Sequence, residues 1–325
     1  MKIIDKLNKA IKKPNWLFGV ILRRCFSRML NDRNFIKWEY FSGMGKFPDL
    51  DNPTTYNEKL QWLKLNDIHD EYTLLVDKYE AKEIVRKRIG EKYIIPTLDI
   101  YDSFDDIDFD LLPNQFVLKT THDSGGVVVC SDKTRLDMKA VRNKLEKSLR
   151  HNYFYEHREY PYKNVKPRII AEQYMVDESG TELKDYKFFC FDGKCKMLFV
   201  ATDRQSRNEP FFNFFDEHYN PLPFKQGHPI NPIIPQKPER FEEMIRIAER
   251  LSVGYRHLRV DLYNINGRIF FGELTFFHFS GNVPFEPAEW DFVIGKWLKL
   301  PITYLKPKHD KDNKRLAFFS SRRCH

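Results

Sequence analysis

The sequence predicts an α+β fold built from antiparallel hairpins, and three observations carry that expectation. Apolar and β-branched runs are joined by glycine turns in FVLKTTHDSGGVVVCS, in DYKFFCFDGKCKMLFVATD and in HLRVDLYNINGRIFFGELTFF. Segments with helical spacing stand between these hairpins and do not alternate one by one with single strands. At 325 residues the chain exceeds a usual single core, so two packed lobes are expected.

Residues 1–75 read as a helical, basic N-terminal region. Thr55 with Glu58 forms a capping box that opens the helix YNEKLQWLKLN. A second helix, DKYEAKEIVRKRIG, stops at Gly90. YIIPTLDIY reads as a strand, followed by the acidic loop YDSFDDIDFDLLPN. After the first glycine hairpin come a helix, LDMKAVRNKLEKSLR, and the strand RIIAEQYM. FEEMIRIAERL is a helix preceding the last hairpin. The tail 306–325 is polar and basic and is expected to be mobile. There is no internal repeat.

Hydrophobic content of 42% and aromatic content of 15% belong to a folded protein. The net charge of +8 calls for an anionic partner, without choosing among nucleotide, acidic glycan, nucleic acid and lipid headgroup. The five cysteines show no CxxC pair, which fits a reducing cytoplasm and not a disulfide framework. Cys190 and Cys195 flank the turn Asp192-Gly193 and read as buried strand thiols. No apolar run reaches the roughly 18 residues of a spanning helix. The N-terminal stretch places basic residues and Cys25-Phe26 where a signal peptide needs small ones. It reads as a basic helix capping the fold, with peripheral contact to an anionic membrane at the inner face as the alternative.

The last hairpin carries the most specific chemistry. Strand side chains alternate, so Arg259 and Asp261 share a face, as do Glu273 and Thr275. A two-residue turn at Asn266-Gly267 sends Glu273 to the opposite side from Asp261. A three-residue loop, Ile265-Asn266-Gly267, pairs Arg259 with Glu273 and gathers all four, and that register is expected here. Two nearby carboxylates need a cation between them, and hard oxygens suit Mg²⁺. Arg259 beside them suits a phosphate or developing oxyanion. The plain alternative is an Arg–Glu cross-strand ion pair.

Lys119 stands on an apolar strand and needs an anion, and the turn at Ser124, Gly125 and Gly126 offers bare N–H groups to phosphate. A lysine on the wet face of a hairpin is the alternative. Glu172, on a strand that leads into a connector, can accept from an adenine amino group, or is simply an exposed strand residue. Asp185 and Lys187 share one face of DYKFFCF, to hold a ribose and a phosphate or simply to pair with each other.

In this order the pieces resemble the ATP-grasp superfamily of Mg-ATP-dependent carboxylate–amine ligases. More closely, YNEKLQWLKL, DKYEAKEIV, FVLKTTHDSGG, IIAEQYM, DYKFFCFDGK, RVDLYNINGRIFFGELTFF and EWDFVIGKWLKLP resemble the TupA-like ATP-grasp family of teichuronopeptide and capsular polysaccharide biosynthesis. The resemblance implies an ATP-grasp domain over 76–305. Its first lobe, 76–170, carries the lysine and glycine loop, and its second lobe, 171–305, the metal hairpin. It implies Lys78 and Lys119 as phosphate lysines, Glu172 as the hinge acid, Asp185 as the ribose acid, and Asp261, Glu273 and Thr275 as Mg²⁺ ligands, with Thr275 where asparagine is usual. Arg259 becomes the oxyanion group, and Arg204 and His122 are candidate substrate or phosphate contacts, with a plain loop role as the alternative for each. FFHFSG departs from the family pattern, so His278 and Ser280 are expected to shape the acceptor pocket. The implied substrates are ATP, a uronic-acid carboxylate of a surface glycan, and an amino acid or peptide amine. The rivals are a glycosyltransferase using Asp106-Ile-Asp108 or Asp108-Phe-Asp110 as a metal motif, and a binder of nucleic acid or membrane, although no nucleic-acid motif appears.

Overall fold

Two antiparallel sheets carry the site, and a set of N-terminal helices packs beside them. The computed structural model describes residues 14–177, 183–203 and 209–301; the segment 1–13, Arg204 and the tail named above lie outside these.

The described part of the N-terminal region holds the helices α1 (Pro14–Ile21), α2 (Asp32–Met44), α3 (Tyr56–Asn66) and α4 (Tyr72–Val76), and α5 (Glu80–Ile89) follows. Both halves of the Thr55–Glu58 capping box form at the start of α3. This helix runs through the interior. Tyr56, Leu60 and Leu63 join the main core, while buried Gln61 and Lys64 turn polar groups toward a loop described below. Gly90 ends α5 as the sequence indicates.

The first sheet has strand order β1-β4-β2-β3, from β1 (Thr97–Tyr101), β2 (Phe116–Thr120), β3 (Val127–Cys130) and β4 (Ile169–Gln173). Helix α6 (Met138–Leu149) buries Val141 and Leu145 against Phe116, Leu118, Ile169 and Ala171. Alternation then puts Lys119 and Glu172 on the opposite face, where Val117 pairs with Glu172 and Lys119 with Ile170. β4 completes this sheet, so a lobe boundary at 170/171 cuts a strand. The acidic loop is exposed at Asp106, Asp108 and Asp110, and Asp108 merely accepts from the Asp110 amide.

The second sheet has order β10-β9-β5-β6-β7. Its strands are β5 (Asp185–Phe191), β6 (Lys194–Thr202), β7 (Phe211–Asp216), β9 (His257–Ile265) and β10 (Arg268–Thr275); the short β8 (Lys225–Gln226) pairs with β11 (Phe285–Glu286). Strand β7, the run FFNFFD, escapes the sequence reading. Short helix α7 (Phe154–His157) precedes β4, and α8 (Phe241–Ser252) precedes β9. The apolar stripe of α8, Phe241, Met244, Ile247 and Leu251, packs into one core with Phe188, Val260, Leu262 and Leu274. Cys190 and Cys195 lie opposite each other, buried and unbridged, as the turn between them predicts. The last helix, α9 (Glu289–Trp297), is bound to α3 through Lys59 Nζ, which donates to the carbonyls of Gly295 and Leu298 at 2.7 Å each. Among the described residues no helix is long and apolar enough to cross a membrane.

Candidate active site

The β9–β10 hairpin departs from the expected register and still gathers its polar residues. Ile265 pairs with Arg268, so the turn has two residues, Asn266 (φ 50°) and Gly267 (φ 77°), both in the left-handed region that a primed turn requires. The expected three-residue loop is therefore wrong. Left uncorrected, this turn would carry Glu273 to the core face. A bulge between Phe271 and Glu273 shifts the register, so that Glu273 faces Asp261 and Thr275 faces Arg259. Gly272 sits in the bulge, where a Cβ would lie 3.0 Å from the Asp261 carbonyl and 3.2 Å from the Tyr263 ring.

Around Arg259 the four side chains form one network. Arg259 Nε donates to Asp261 Oδ1 at 2.7 Å and Nη2 to Asp261 Oδ2 at 2.8 Å. The same Nη2 donates to Glu273 Oε1 and to Thr275 Oγ1, each at 2.9 Å. Arg259 Nη1 donates to His278 Nδ1 at 2.9 Å, which leaves His278 neutral with its proton on Nε2. Burial, with Arg259 beside it, pushes the His278 pKa far down. On the neighbouring strand Lys187 pairs with Asp261, and with Asp185 at 3.2 Å. Asp185, Lys187, Arg259, Asp261, Glu273 and Thr275 thus share one face of one sheet.

The first sheet supplies the opposing group. Asp77 accepts from the Tyr79 and Glu80 amides and so fixes the turn before α5 that carries Lys78. Lys78 Nζ donates to the Asp123 carbonyl in the glycine loop. That loop is stapled by Asp123, which accepts from Thr120 Oγ1 at 2.5 Å, from the Gly126 amide at 3.1 Å and from Ser148. Ser124 and Gly125 form the exposed tip, while Gly126 is buried where no side chain fits. His122 is buried, its Nε2 facing the carbonyls of Ser148 and His151 at 3.1 and 3.0 Å, which braces the loop.

Glu172 is the counter-ion of two lysines, Lys119 at 2.6 Å and Lys82 at 2.5 Å. Burial opposes its charge, but the two ammonium groups prevail and hold its pKa at about 2. Lys119 is shifted up, since Glu172, with help from Tyr263 and Glu273, outweighs burial. Burial shifts Lys78 down, against the pull of Glu273 and Asp123. Glu273 therefore stands within electrostatic reach of both Lys78 and Lys119. Its own pKa falls to about 2, because Lys187, Arg259 and Lys78 outweigh burial, while burial raises that of Asp261.

The donor chemistry fits Mg²⁺ carried by a nucleotide. Oxygens of Asp261, Glu273 and Thr275 all converge on the single nitrogen Nη2 of Arg259. Among the described residues no group of three or more His, Cys, Asp or Glu is placed to hold a metal alone. Two carboxylates, with phosphate oxygens completing the shell, are what Mg²⁺ ordinarily takes.

Lys82 and Asp123 are absent from the sequence reading. Lys82 had a usable signal, for it lies one helical turn beyond Lys78. Asp123 had none beyond its place beside the glycines.

The family model described as TupA-like ATPgrasp matches residues 58–299. No curated protein matches. Among solved structures, D-alanine–D-alanine ligase from Bacillus anthracis complexed with ATP is 16% identical, with 62% of this chain and 53% of that one covered at a TM-score of 0.35. The ATP-grasp ligase PsnB complexed with minimal precursor, Mg and ADP is 10% identical, covering 77% and 66% at 0.39. A RimK domain ATP-grasp protein from Sphaerobacter thermophilus is 10% identical, covering 70% and 69% at 0.39. The chain spans about half the length of the Bacillus ligase.

Proposed function

The chain belongs to the TupA-like ATP-grasp family, and from that premise we propose that it is an ADP-forming carboxylate–amine ligase acting through an acyl phosphate. The observation that carries this reading is the meeting of Arg259, Asp261, Glu273 and Thr275 on the face that looks toward Lys78 and Lys119.

In this reading Lys78, Lys119 and the amides of Ser124, Gly125 and Gly126 neutralise and orient the phosphates of ATP. Glu172 keeps Lys119 and Lys82 aimed, and its place beside the strand exit suits an adenine edge. Asp185 takes a ribose hydroxyl and Lys187 a phosphate oxygen. Asp261, Glu273 and Thr275 would hold the Mg²⁺ that arrives with the nucleotide, supplying neutralisation of β- and γ-phosphate charge. A substrate carboxylate oxygen attacks the γ-phosphorus, the bond to the bridging oxygen breaks, and ADP leaves. The amine then attacks the acyl carbon, gives up a proton, and phosphate departs. Arg259 stabilises the oxyanion of that second step, and neutral His278 keeps the guanidinium in place without competing for its charge. Arg204 is a further substrate contact on this reading, as is a role in surface polysaccharide synthesis, with a uronic acid as carboxylate donor and an amino acid or peptide as amine.

The test is a screen of amino acids with uronic-acid sugars, read by ATP consumption. ADP and phosphate are the expected products. AMP with pyrophosphate would make the chain an adenylating enzyme and end the proposal.

A further inference from the structure

Helix α1 packs on α2 through a side where its backbone is bare. A Cβ on Gly19 would sit 2.5 Å from Ser42 Oγ, so the two helices are in close approach there, and Leu22, just beyond the end of α1, is buried. A docked surface helix ordinarily turns its apolar side inward and its polar side to water. Here large apolar side chains face outward. Leu17, Phe18, Ile21, Phe26, Trp38 and Phe47 are each between 37% and 50% exposed.

These side chains are not scattered singly. Leu17 and Ile21 stand one turn apart on α1, and Phe26 closes the wider turn Leu22–Phe26 that continues it. The Phe18 ring meets Trp38 of α2 edge-on with centroids 5.6 Å apart, and Trp38 meets Phe47 at 4.9 Å. Two helices and the segment after α2 thus build one apolar ridge. Isolated exposed apolar residues need no partner, but a contiguous patch marks a surface that is covered in use.

Charge identifies what covers it. Residues 1–29 hold eight lysines and arginines and one acid, Asp5, so this stretch carries +7 of the chain's +8. Arg24, Arg28 and Lys46 are exposed, and Lys37 and Lys46 directly precede Trp38 and Phe47. The acids of α2 do not offset them. Asp32 is held by Arg158 at 2.7 Å, and Glu39 is buried against His157 and Arg23. A second copy of the chain would set like charge against like, because a two-fold contact brings the patch onto itself. A nucleic acid would satisfy the cations and bury little of Leu17 and Ile21. An anionic bilayer surface takes both, with acyl chains for the ridge and headgroup phosphates for the cations.

We propose that α1, α2 and Phe47 form a membrane-docking face, which lies on an anionic lipid surface and enters it no deeper than the boundary between headgroups and acyl chains. The two readings of the N-terminal stretch are then compatible, since α1 packs on the fold with one side and offers lipid the other. None of these residues takes part in the nucleotide chemistry above, so the inference stands apart from the ligase reading.

The test is co-sedimentation of the full-length protein with vesicles of phosphatidylcholine mixed with phosphatidylglycerol, and with phosphatidylcholine alone. Sedimentation with the anionic vesicles only, weakened by added salt, is expected. Phe18→Ser combined with Trp38→Ser should weaken it about tenfold, and Arg24→Glu combined with Arg28→Glu by a similar factor. Leu17→Ser combined with Ile21→Ser should act in the same direction, and it decides the matter if the aromatic pair is needed for folding, which the melting temperature of each variant reports. No sedimentation with anionic vesicles overturns the docking face. Sedimentation that survives the apolar substitutions also overturns it, because charge alone would then account for the binding. So does a parent protein that elutes as a dimer and becomes monomeric on Trp38→Ser, which would give the ridge to a second copy.

Discussion

Replacing Glu172 by glutamine removes the charge that two buried lysines share. In the folded protein its pKa is held at about 2, against an ordinary 4.5. A folded pKa below the unfolded one gives stability that is present above about 4.5 and lost as pH falls toward 2. Each unit is about 1.4 kcal/mol, so the carboxylate contributes on the order of 3 kcal/mol at neutral pH. That agrees with the ~3–5 kcal/mol seen when one partner of a buried ion pair is removed. At roughly 2 °C per kcal/mol for a chain of this size, Glu172→Gln should melt about 6 °C below the parent. The gap should close as the pH is lowered through the window from 4.5 to 2. Nucleotide changes the sign of the comparison, because its phosphates can replace the missing counter-ion of Lys119. Mg-ADP should therefore raise the melting temperature of the variant by more than it raises the parent's. Scanning fluorimetry with and without Mg-ADP reads both quantities. A variant that melts within a degree of the parent at pH 7, or gains no more from Mg-ADP, would refute the argument that Glu172 is the counter-ion whose place on Lys119 phosphate can take.

The other predictions are more direct. Glu273→Gln should abolish ATP turnover and remove the Mg²⁺-dependent part of ADP stabilisation, and unchanged turnover would remove its metal role. Gly126→Ala should cost about 2 kcal/mol in urea unfolding, because the added Cβ would sit 1.9 Å from Thr120 Oγ1 and 2.4 Å from Ser148 Oγ. Gly125→Ala, which meets only Asp123 Oδ2 at 3.8 Å, should fall within about 0.5 kcal/mol of the parent. Lys64→Met removes one of the two donors to the Ser280 carbonyl, Lys64 Nζ at 2.8 Å, and leaves Gln61 Nε2, so the loop carrying His278 should loosen. Turnover should drop while KM for ATP holds, as expected for a residue that positions Arg259 through the loop.

Local patterns were enough to read much of the molecule from its sequence. Alternation along a strand put Asp185 with Lys187 and Arg259 with Asp261, because the period of two is a property of the backbone and needs no tertiary partner. The capping box at Thr55 and the turn glycines act within a few residues, and they appear where the sequence put them. Resemblance across several short motifs added the family. What depends on contacts between distant segments was not readable in this way. The hairpin closes through a two-residue turn, and only the bulge at Gly272, packed against Asp261 and Tyr263 on the facing strand, brings Glu273 back to the cleft. Glu172 is bound by Lys82 from a helix about ninety residues earlier and by Lys119 from the strand alongside, and a carboxylate's sequence neighbours do not disclose such partners.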